Sequence, residues 1–142
     1  MATLETADTL DNTYSWHPVI QATLFLQLVS WFSGNRINGM AIWPFVLIDN
    51  QRIAENAQVQ EQYDYRIDRV IRHEVIHLRQ WEECLVLLFV PLYVLSWVVR
   101  LITSGSLREA YVNNWFEREA YSNDWDKSYL DVRPWYNWIR KK

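Results

Sequence analysis

Apolar residues in the first half of the chain fall into two runs that differ in spacing. From Val19 to Phe32 they recur at helical spacing, which predicts a short buried or interfacial helix that ends at Ser33-Gly34. The second run, Met40–Ile48, is continuous and contains Ile and Val, as is typical of a strand. Pro44 cannot donate a ladder hydrogen bond, so we expect an edge strand or an irregular extended segment here.

Polar residues dominate the next segment, Asn50–Tyr65, which contains neither Gly nor Pro. This pattern predicts a surface helix or a lid. A longer helical run follows from Asp68 to Val90, with Asp64 or Asp68 as its expected N-cap. We expect Pro91 to break or kink that helix, because proline lacks the N–H that a helix interior requires.

Residues 85–99 carry no charged side chain. This stretch is shorter than the roughly 20 apolar residues that a membrane-spanning helix needs, so we do not expect it to cross a bilayer. It is interpreted either as a buried hairpin or as a re-entrant or interfacial segment. Aromatic residues near its ends, Trp81, Tyr93 and Trp97, suit the interfacial alternative.

The last third of the chain begins with the turn Thr103-Ser104-Gly105. Ser106 and Glu109 form a capping-box pattern, which predicts a helix over Leu107–Tyr121. The tail, residues 134–142, interleaves Trp and Tyr with Arg and Lys. Such a tail suits a membrane surface or a protein assembly, and the alternative is that its aromatic residues fold back onto the domain.

Composition bounds the architecture. The chain has 142 residues, of which 50% are hydrophobic, with three Gly and four Pro. We therefore expect one mainly α-helical domain with a short extended or β element over residues 17–133, preceded by a loose arm (residues 1–16) and followed by the tail. The net charge is −3 with both signs interspersed, so nucleic acid is not indicated as a partner. The polar N-terminus does not resemble a signal peptide, which favours a cytoplasmic location.

The candidate chemistry lies in His73-Glu74-Val75-Ile76-His77, an H-E-x-x-H motif within a helical run. Residues four apart share one face of a helix, so both imidazoles can bind one Zn²⁺. Glu74 lies beside them, where a carboxylate can take a proton from a metal-activated water. Gln80 continues the same face and is a candidate hydrogen-bond partner of a metal-binding imidazole.

The motif also has a purely structural interpretation, in which Glu74 pairs with Arg72 or Arg79. The chain contains only three His, so two of them would seldom fall four residues apart by chance. His17 precedes a proline away from the motif and is interpreted as a surface or capping residue. Cys84 is the single Cys, which excludes an internal disulfide framework and a Cys-based zinc site. We expect its side chain to be buried.

A catalytic zinc site needs a third protein ligand besides water. Glu117 and Glu119 lie on the predicted downstream helix, and residues two apart point about 200° away from each other. Only one of them can therefore face the metal. Ala120 lies on nearly the same face as Glu117 and would let the two helices approach closely, which favours Glu117.

The ordered motifs resemble a family of small, mostly uncharacterised HExxH proteins of bacteria and their phages. The likeness covers about Met40 to Arg133: H-E-V-I-H-x-x-Q, then S-W-V-V-R, then F-E-R-E-A-Y-S-N, then D-x-x-Y-L-x-x-R. The E-x-x-A element also resembles that of gluzincins such as the CAAX-type prenyl-protein proteases, where aspartate follows the alanine. Tyr121 stands at that position here.

The resemblance implies a minimal zincin-like helical domain with Zn²⁺ held by His73, His77 and Glu117. It further implies a metallopeptidase in which Glu74 activates the water and a peptide or protein is the substrate. Tyr111, Tyr121 and Arg118 are candidate donors to the developing oxyanion, while Gln80 and Glu119 are candidates to support the ligands. The alternative is a structural or interaction protein, such as a phage-particle component or a peripheral membrane protein, that uses residues 85–99 and the tail and carries a structural or vestigial zinc site.

Overall fold

The computed structural model describes residues 17–55 and 57–140, so the predicted arm over residues 1–16 lies outside the described residues. The strands are β1 (Val19–Gln21), β2 (Gly39–Ile42) and β3 (Phe45–Ile48). The helices are α1 (Thr23–Ser33), α2 (Asn50–Glu55), α3 (Gln60–Glu83), α4 (Phe89–Ser104), α5 (Leu107–Val112), α6 (Trp115–Asn123) and α7 (Tyr129–Val132), followed by a 3-10 turn over Asn137–Ile139. The prediction of a mainly α fold with a short β element is confirmed.

The sheet has the order β1-β3-β2, with β1 parallel and β2 antiparallel to β3. The segment around Pro44 is therefore a hairpin, and the proline lies in its turn after a cis peptide bond, where no ladder donor is required. β1 and β2 are the edge strands and β3 is the central one. The predicted helix over residues 19–32 is wrong at its start, because Val19–Gln21 pairs with β3; its end at Gly34, which has a left-handed φ of 68°, is confirmed.

The sheet packs against α3, around which the rest of the domain is arranged. Side chains of β3 and α3 form one buried cluster of Val46, Ile48, Ile71, Val75 and Leu78. Each such side chain stabilises the fold by about 1.5–3 kcal/mol on burial. Every residue of α3 from 71 to 78 is buried, so this part of the helix is covered on all sides.

The predicted ends of the motif helix are wrong. α3 begins at Gln60, so Asp64 and Asp68 lie inside it, and the N-cap position is Val59. The helix also stops at Glu83, well before Pro91. A tight turn follows, and Pro91 lies in the first turn of α4, where its missing N–H would have had no helical partner.

The predicted helix over Leu107–Tyr121 is two helices. Ser106 caps α5 by accepting a hydrogen bond from the Glu109 N–H, as the capping-box pattern predicts. The helix is interrupted at Asn114. Its side chain caps α6 by accepting a hydrogen bond from the Phe116 N–H at 3.1 Å. Within the tail, Trp138 is buried and stacks on Phe116 with ring centroids 4.4 Å apart, so this part of the tail folds back onto the domain.

Candidate metal centre and adjoining clefts

Two helices supply the side chains of the site. α3 presents His73, Glu74 and His77 from its buried section, and α6 packs beside it and presents Glu117. Ala120, one turn after Glu117, is fully buried between the helices, as its small side chain permits. The structure thus brings together the two histidines and the glutamate that the sequence motifs single out.

The three candidate ligands converge on one point. The Glu117 Oε2 atom lies 3.3 Å from His73 Nε2 and 3.5 Å from His77 Nε2. One potential ligand atom from each residue lies within 4.8 Å of the other two. Ligand atoms about 2.0–2.1 Å from a tetrahedral Zn²⁺ are separated by roughly 3.3 Å, so this spacing fits a zinc ion. Two imidazole nitrogens and one carboxylate oxygen are also the donor set of many catalytic zinc sites.

Each histidine is held by a hydrogen bond at its other ring nitrogen. His73 Nδ1 lies 3.2 Å from Asp124 Oδ2, and Arg69 donates to the other oxygen of that carboxylate at 2.8 Å. His77 Nδ1 lies 2.7 Å from Gln80 Oε1. Since both partners are acceptors, each Nδ1 carries the proton, and the Nε2 lone pairs are left for a metal.

Gln80 is itself fixed by two acceptors, which settles which way its amide points. Its Nε2 donates to the Phe116 carbonyl at 3.1 Å and to Glu119 Oε2 at 2.9 Å. The amide oxygen must then face His77. Glu119 therefore lies behind the histidine rather than at the metal position, as the opposite directions of Glu117 and Glu119 on one helix require.

Glu117 is oriented by a tyrosine from α4. Tyr93 Oη donates to Glu117 Oε1 at 2.6 Å, which leaves Oε2 to face the histidines. Burial raises the pKa of Glu117, but the neighbouring His77 and His73 outweigh it and hold that pKa well below the ordinary glutamate value. Burial likewise opposes protonation of His73, but its hydrogen bonds to Asp124 and Glu117 raise its pKa to about 10. Each of these two pKa shifts favours the charged form of its group, and a metal would bind at Nε2 in place of the proton.

Glu74 points toward the edge strand. Burial raises its pKa, while the two motif histidines and a hydrogen bond from the Ala41 N–H act in the opposite direction. Gly39 lies directly against it: a Cβ at residue 39 would be 2.9 Å from Glu74 Oε1 and 2.8 Å from Val70 Cγ1. Only glycine leaves the space that β2 and this carboxylate share.

The remaining predicted residues divide between the site and its surroundings. The ring of Tyr121 lies 4.6 Å from that of His73, and its hydroxyl reaches the Tyr111 hydroxyl at 3.5 Å. Tyr111 lines both cavities beside the ligands and is thus placed to contact a bound molecule. Arg118 lines a separate small cavity near Trp138, so the structure does not bring it to the metal position.

Two clefts meet at the ligands. One has a volume of about 880 Å³ and a lining rich in Arg, Gln and Tyr; the other has a volume of about 470 Å³ and a mostly apolar lining between β2 and α4. Both are lined by His73, Glu74 and Gly39. The candidate metal centre is therefore open to ligands from two sides.

Asp124, Tyr93 and Arg69 were not predicted from the sequence. Asp124 could have been found from its charge, since it is an acidic residue at the end of the helix that carries Glu117, three positions after the place where Tyr121 departs from the gluzincin pattern. Tyr93 lies in the apolar run, where nothing in the sequence distinguishes it from a packing residue. Its role depends on how α4 turns back after α3.

No protein-family model, curated protein or solved structure matches this chain. The arguments for its function therefore rest on its own residues and on the motifs described above.

Proposed function

We propose that the protein is a zinc-dependent metallopeptidase. The observation that carries the proposal is the convergence of His73, His77 and Glu117, with Glu74 beside them, at the junction of two clefts. A second observation supports a peptide as the substrate. The Asn38–Asp49 pair is hydrogen bonded, so the alternating pattern of an antiparallel pair directs the Gly39 and Ala41 backbone groups away from β3. The Ala41 N–H meets Glu74, so an extended chain can pair through Gly39 and the Ala41 carbonyl.

In this proposal His73 and His77 would hold a zinc ion through their Nε2 atoms, and Glu117 would hold it through Oε2. When bound, the ion would supply a Lewis acid for the activation of water and the polarisation of the scissile carbonyl. Glu74 accepts a proton from the attacking water, and burial suits it to this task because it raises the carboxyl pKa toward neutrality. Glu74 then gives the proton to the amide nitrogen as the C–N bond breaks, which yields a carboxylate and an amine. Tyr111 is placed to donate to the developing oxyanion.

Metal content and a matched pair of variants test the proposal. The purified protein should contain about one zinc per chain by elemental analysis. Glu74→Gln should retain the zinc but lose cleavage of a random-sequence peptide library, read by mass spectrometry. Glu82→Gln, on the half-exposed side of α3, should leave both unchanged. Absence of bound zinc, or cleavage by Glu74→Gln at the wild-type rate, would refute the proposal.

A second candidate function is that of a membrane-associated or assembly protein, cytoplasmic or part of a virion. Large apolar side chains are exposed on α1 (Leu24, Phe25, Leu28, Trp31, Phe32), in the turn before α4 (Leu85, Leu87, Leu88) and on α4 (Val90, Val94, Leu95, Val98, Ile102). The interpretation of residues 85–99 as a buried hairpin is therefore wrong, and contiguous exposed apolar surface of this kind favours a binding partner. In the part of the chain that the structure describes, no helix is long and apolar enough to cross a membrane.

Flotation separates this second function from the first. Full-length protein is mixed with liposomes of neutral and of anionic lipids and centrifuged through a gradient. Lipid binding that is lost in Val94→Glu and Trp31→Glu, with peptide cleavage unchanged, would support membrane association. Protein that stays at the bottom of the gradient and is monomeric by light scattering would refute both the membrane and the assembly alternatives.

A further inference from the structure

The two clefts at the candidate metal centre differ in chemistry. The larger, called here the polar cleft, contains four arginines in its lining: Arg36, Arg52, Arg66 and Arg69. The smaller, called here the apolar cleft, is lined on the side away from the ligands by Met40, Ile42, Trp81, Phe89 and Val90. A molecule that occupies both clefts must therefore present two kinds of surface.

The charges of the polar cleft are only partly neutralised by the protein. Arg69 pairs with Asp124 at 2.8 Å, and Arg52 lies 3.5 Å from Asp49. Among the described residues, Arg36 and Arg66 have no ion-pair partner. Both are exposed, and in the described part of the chain Glu61 is the only carboxylate of the lining besides Glu74 and Asp124 at the metal centre. The outer part of this cleft therefore carries a positive charge that an acidic ligand can neutralise.

Among the residues that the structure describes, those of the metal centre (His73, Glu74, His77 and Glu117) are the only charged ones that line the apolar cleft. Trp81 stacks on Phe89 with ring centroids 4.7 Å apart, which forms a wall of aromatic surface. Val90 lines the mouth of the cleft and is 49% exposed, so the apolar lining continues onto the outer face of α4. Large apolar side chains gain most from such a site.

The edge of β2 connects the two clefts. Along the chain, Arg36 and Asn38 line the polar cleft, Ile37 and Gly39 line both clefts, and Met40 to Ile42 line the apolar cleft. A peptide extended along this edge therefore passes from one cleft to the other, and crosses the metal ligands between them.

We propose that the substrate is an extended peptide with acidic side chains on one side of the scissile bond and large apolar side chains on the other. This inference rests on the proposed function, because it assigns the substrate class of the same site. The acidic segment lies against Arg36 and Arg66, and the apolar segment lies against Trp81, Phe89 and Val90. Each cleft lies at a fixed end of β2, so a peptide that pairs with β2 in one direction must present its two blocks in one order.

Binding to an inactive protein tests the inference without requiring turnover. Fluorescein-labelled peptides are titrated with zinc-supplemented Glu74→Gln protein and followed by anisotropy. The probes are a Glu block joined to a Leu/Phe block, the reverse order, each block joined to a Gly/Ser block, and a Gly/Ser peptide alone. One mixed order should bind about tenfold tighter than the other and than either half-block peptide, which corresponds to about 1.4 kcal/mol.

Matched variants assign each block to its cleft. Arg36→Glu and Arg66→Glu should weaken binding of peptides with a Glu block about tenfold, while Arg108→Glu, an exposed residue of α5 outside the lining, should not. Val90→Glu should weaken peptides with a Leu/Phe block to a similar extent. Ile102→Glu, at the far end of α4 and 79% exposed, is its control.

The outcomes separate this inference from the proposed function. Equal affinity of the two mixed orders, or mixed peptides that bind no tighter than the Gly/Ser peptide, would overturn the inference even if the wild-type protein cleaves peptides. Ordered binding with the variant pattern above supports it, even if the protein retains no zinc and cleaves nothing. That last combination would overturn only the proposed peptidase.

Discussion

Arg133 is the residue whose loss should damage both the fold and the candidate metal centre. Its guanidinium donates to Glu119 at 2.6 and 3.1 Å and to Glu83 at 2.6 and 3.0 Å. The side chain is 6% exposed, and those of Glu83 and Glu119 are 1% and 2% exposed. One cation therefore pairs with two carboxylates that water cannot reach, and it joins α3 and α6 to the segment after α7.

We predict that Arg133→Met lowers the free energy of unfolding by about 3–5 kcal/mol, the usual cost of leaving a buried charge without its partner. Methionine retains most of the apolar stem of arginine, so lost packing contributes little. In a domain of this size the melting temperature should fall by about 10–20 °C. Glu119 also accepts a hydrogen bond from Gln80, and Gln80 in turn holds the ring of His77. The zinc affinity of Arg133→Met should therefore fall as well.

The measurements are urea unfolding followed by circular dichroism, and competition for zinc with a chelator. Lys127→Met is the matched control, because Lys127 is 80% exposed and lies 4.0 Å from Asp68, and such surface pairs contribute about 0–1 kcal/mol. Glu83→Gln and Glu119→Gln in the Arg133→Met background should restore part of the stability, since they remove the unpaired charges. A loss below about 1 kcal/mol in Arg133→Met would refute the reasoning.

Three further predictions follow from single contacts. Gly39→Ala should lower peptide cleavage at least about tenfold with zinc content unchanged, because a Cβ would lie 2.9 Å from Glu74 Oε1. Gly105→Ala, whose Cβ meets no atom but whose left-handed φ of 68° strains any side chain, controls both assays for a loss of stability alone. Asp124→Ala should weaken zinc binding about 10–100-fold in chelator competition, because it releases His73, whereas Asp131→Ala should not. Equal zinc affinities of Asp124→Ala and the wild-type protein would contradict this role. Burial raises the pKa of Cys84 to about 11. Iodoacetamide at pH 8 should therefore label the folded protein about 100-fold more slowly than the urea-unfolded chain. Comparable labelling rates would show an accessible thiolate.

The part of the site that is local in sequence could be predicted from the sequence. His73, Glu74 and His77 lie within one turn of one helix, so helical geometry alone places the two imidazoles on the same face. Glu117 required a further argument, since Glu119 is also a glutamate and is buried to nearly the same extent. The opposite directions of the two side chains decide between them, because Glu119 is committed to Gln80 and Arg133.

The errors in the helix ends share one physical cause. Helix interiors are set by periodic apolar contacts, but their ends depend on turns whose partners are distant in sequence. α3 ends where Leu85 and Val86 adopt positive φ angles of 52° and 62°, a conformation that neither side chain favours. No turn-forming residue marks this position in the sequence. The chain reverses there because Phe89 and Trp81 stack across the turn.

The exposed face of α4 shows why an uncharged run does not by itself predict burial. Phe89 and Ser96 are buried against the domain, whereas Val90, Val94 and Val98 form an exposed stripe on another side of the helix. Hydrophobicity all round this helix was compatible with a core position. Among the described residues, α5 and α6 cover α4 along most of its contact with the domain, and the remaining apolar faces stay exposed.

The hydrogen bonds behind the two histidines explain why so many polar side chains are buried in a small domain. Each imidazole is held by an acceptor, and each acceptor is bound in turn by an arginine: Asp124 directly by Arg69, and Gln80 through Glu119 by Arg133. Burying these groups would cost several kcal/mol each if they lacked partners, and a single apolar replacement would leave a partner unsatisfied. A domain that needed α3 and α6 only to pack could use apolar side chains there at lower cost. The polar network is therefore better explained by the need to keep two Nε2 atoms and one carboxylate oxygen directed at a common point.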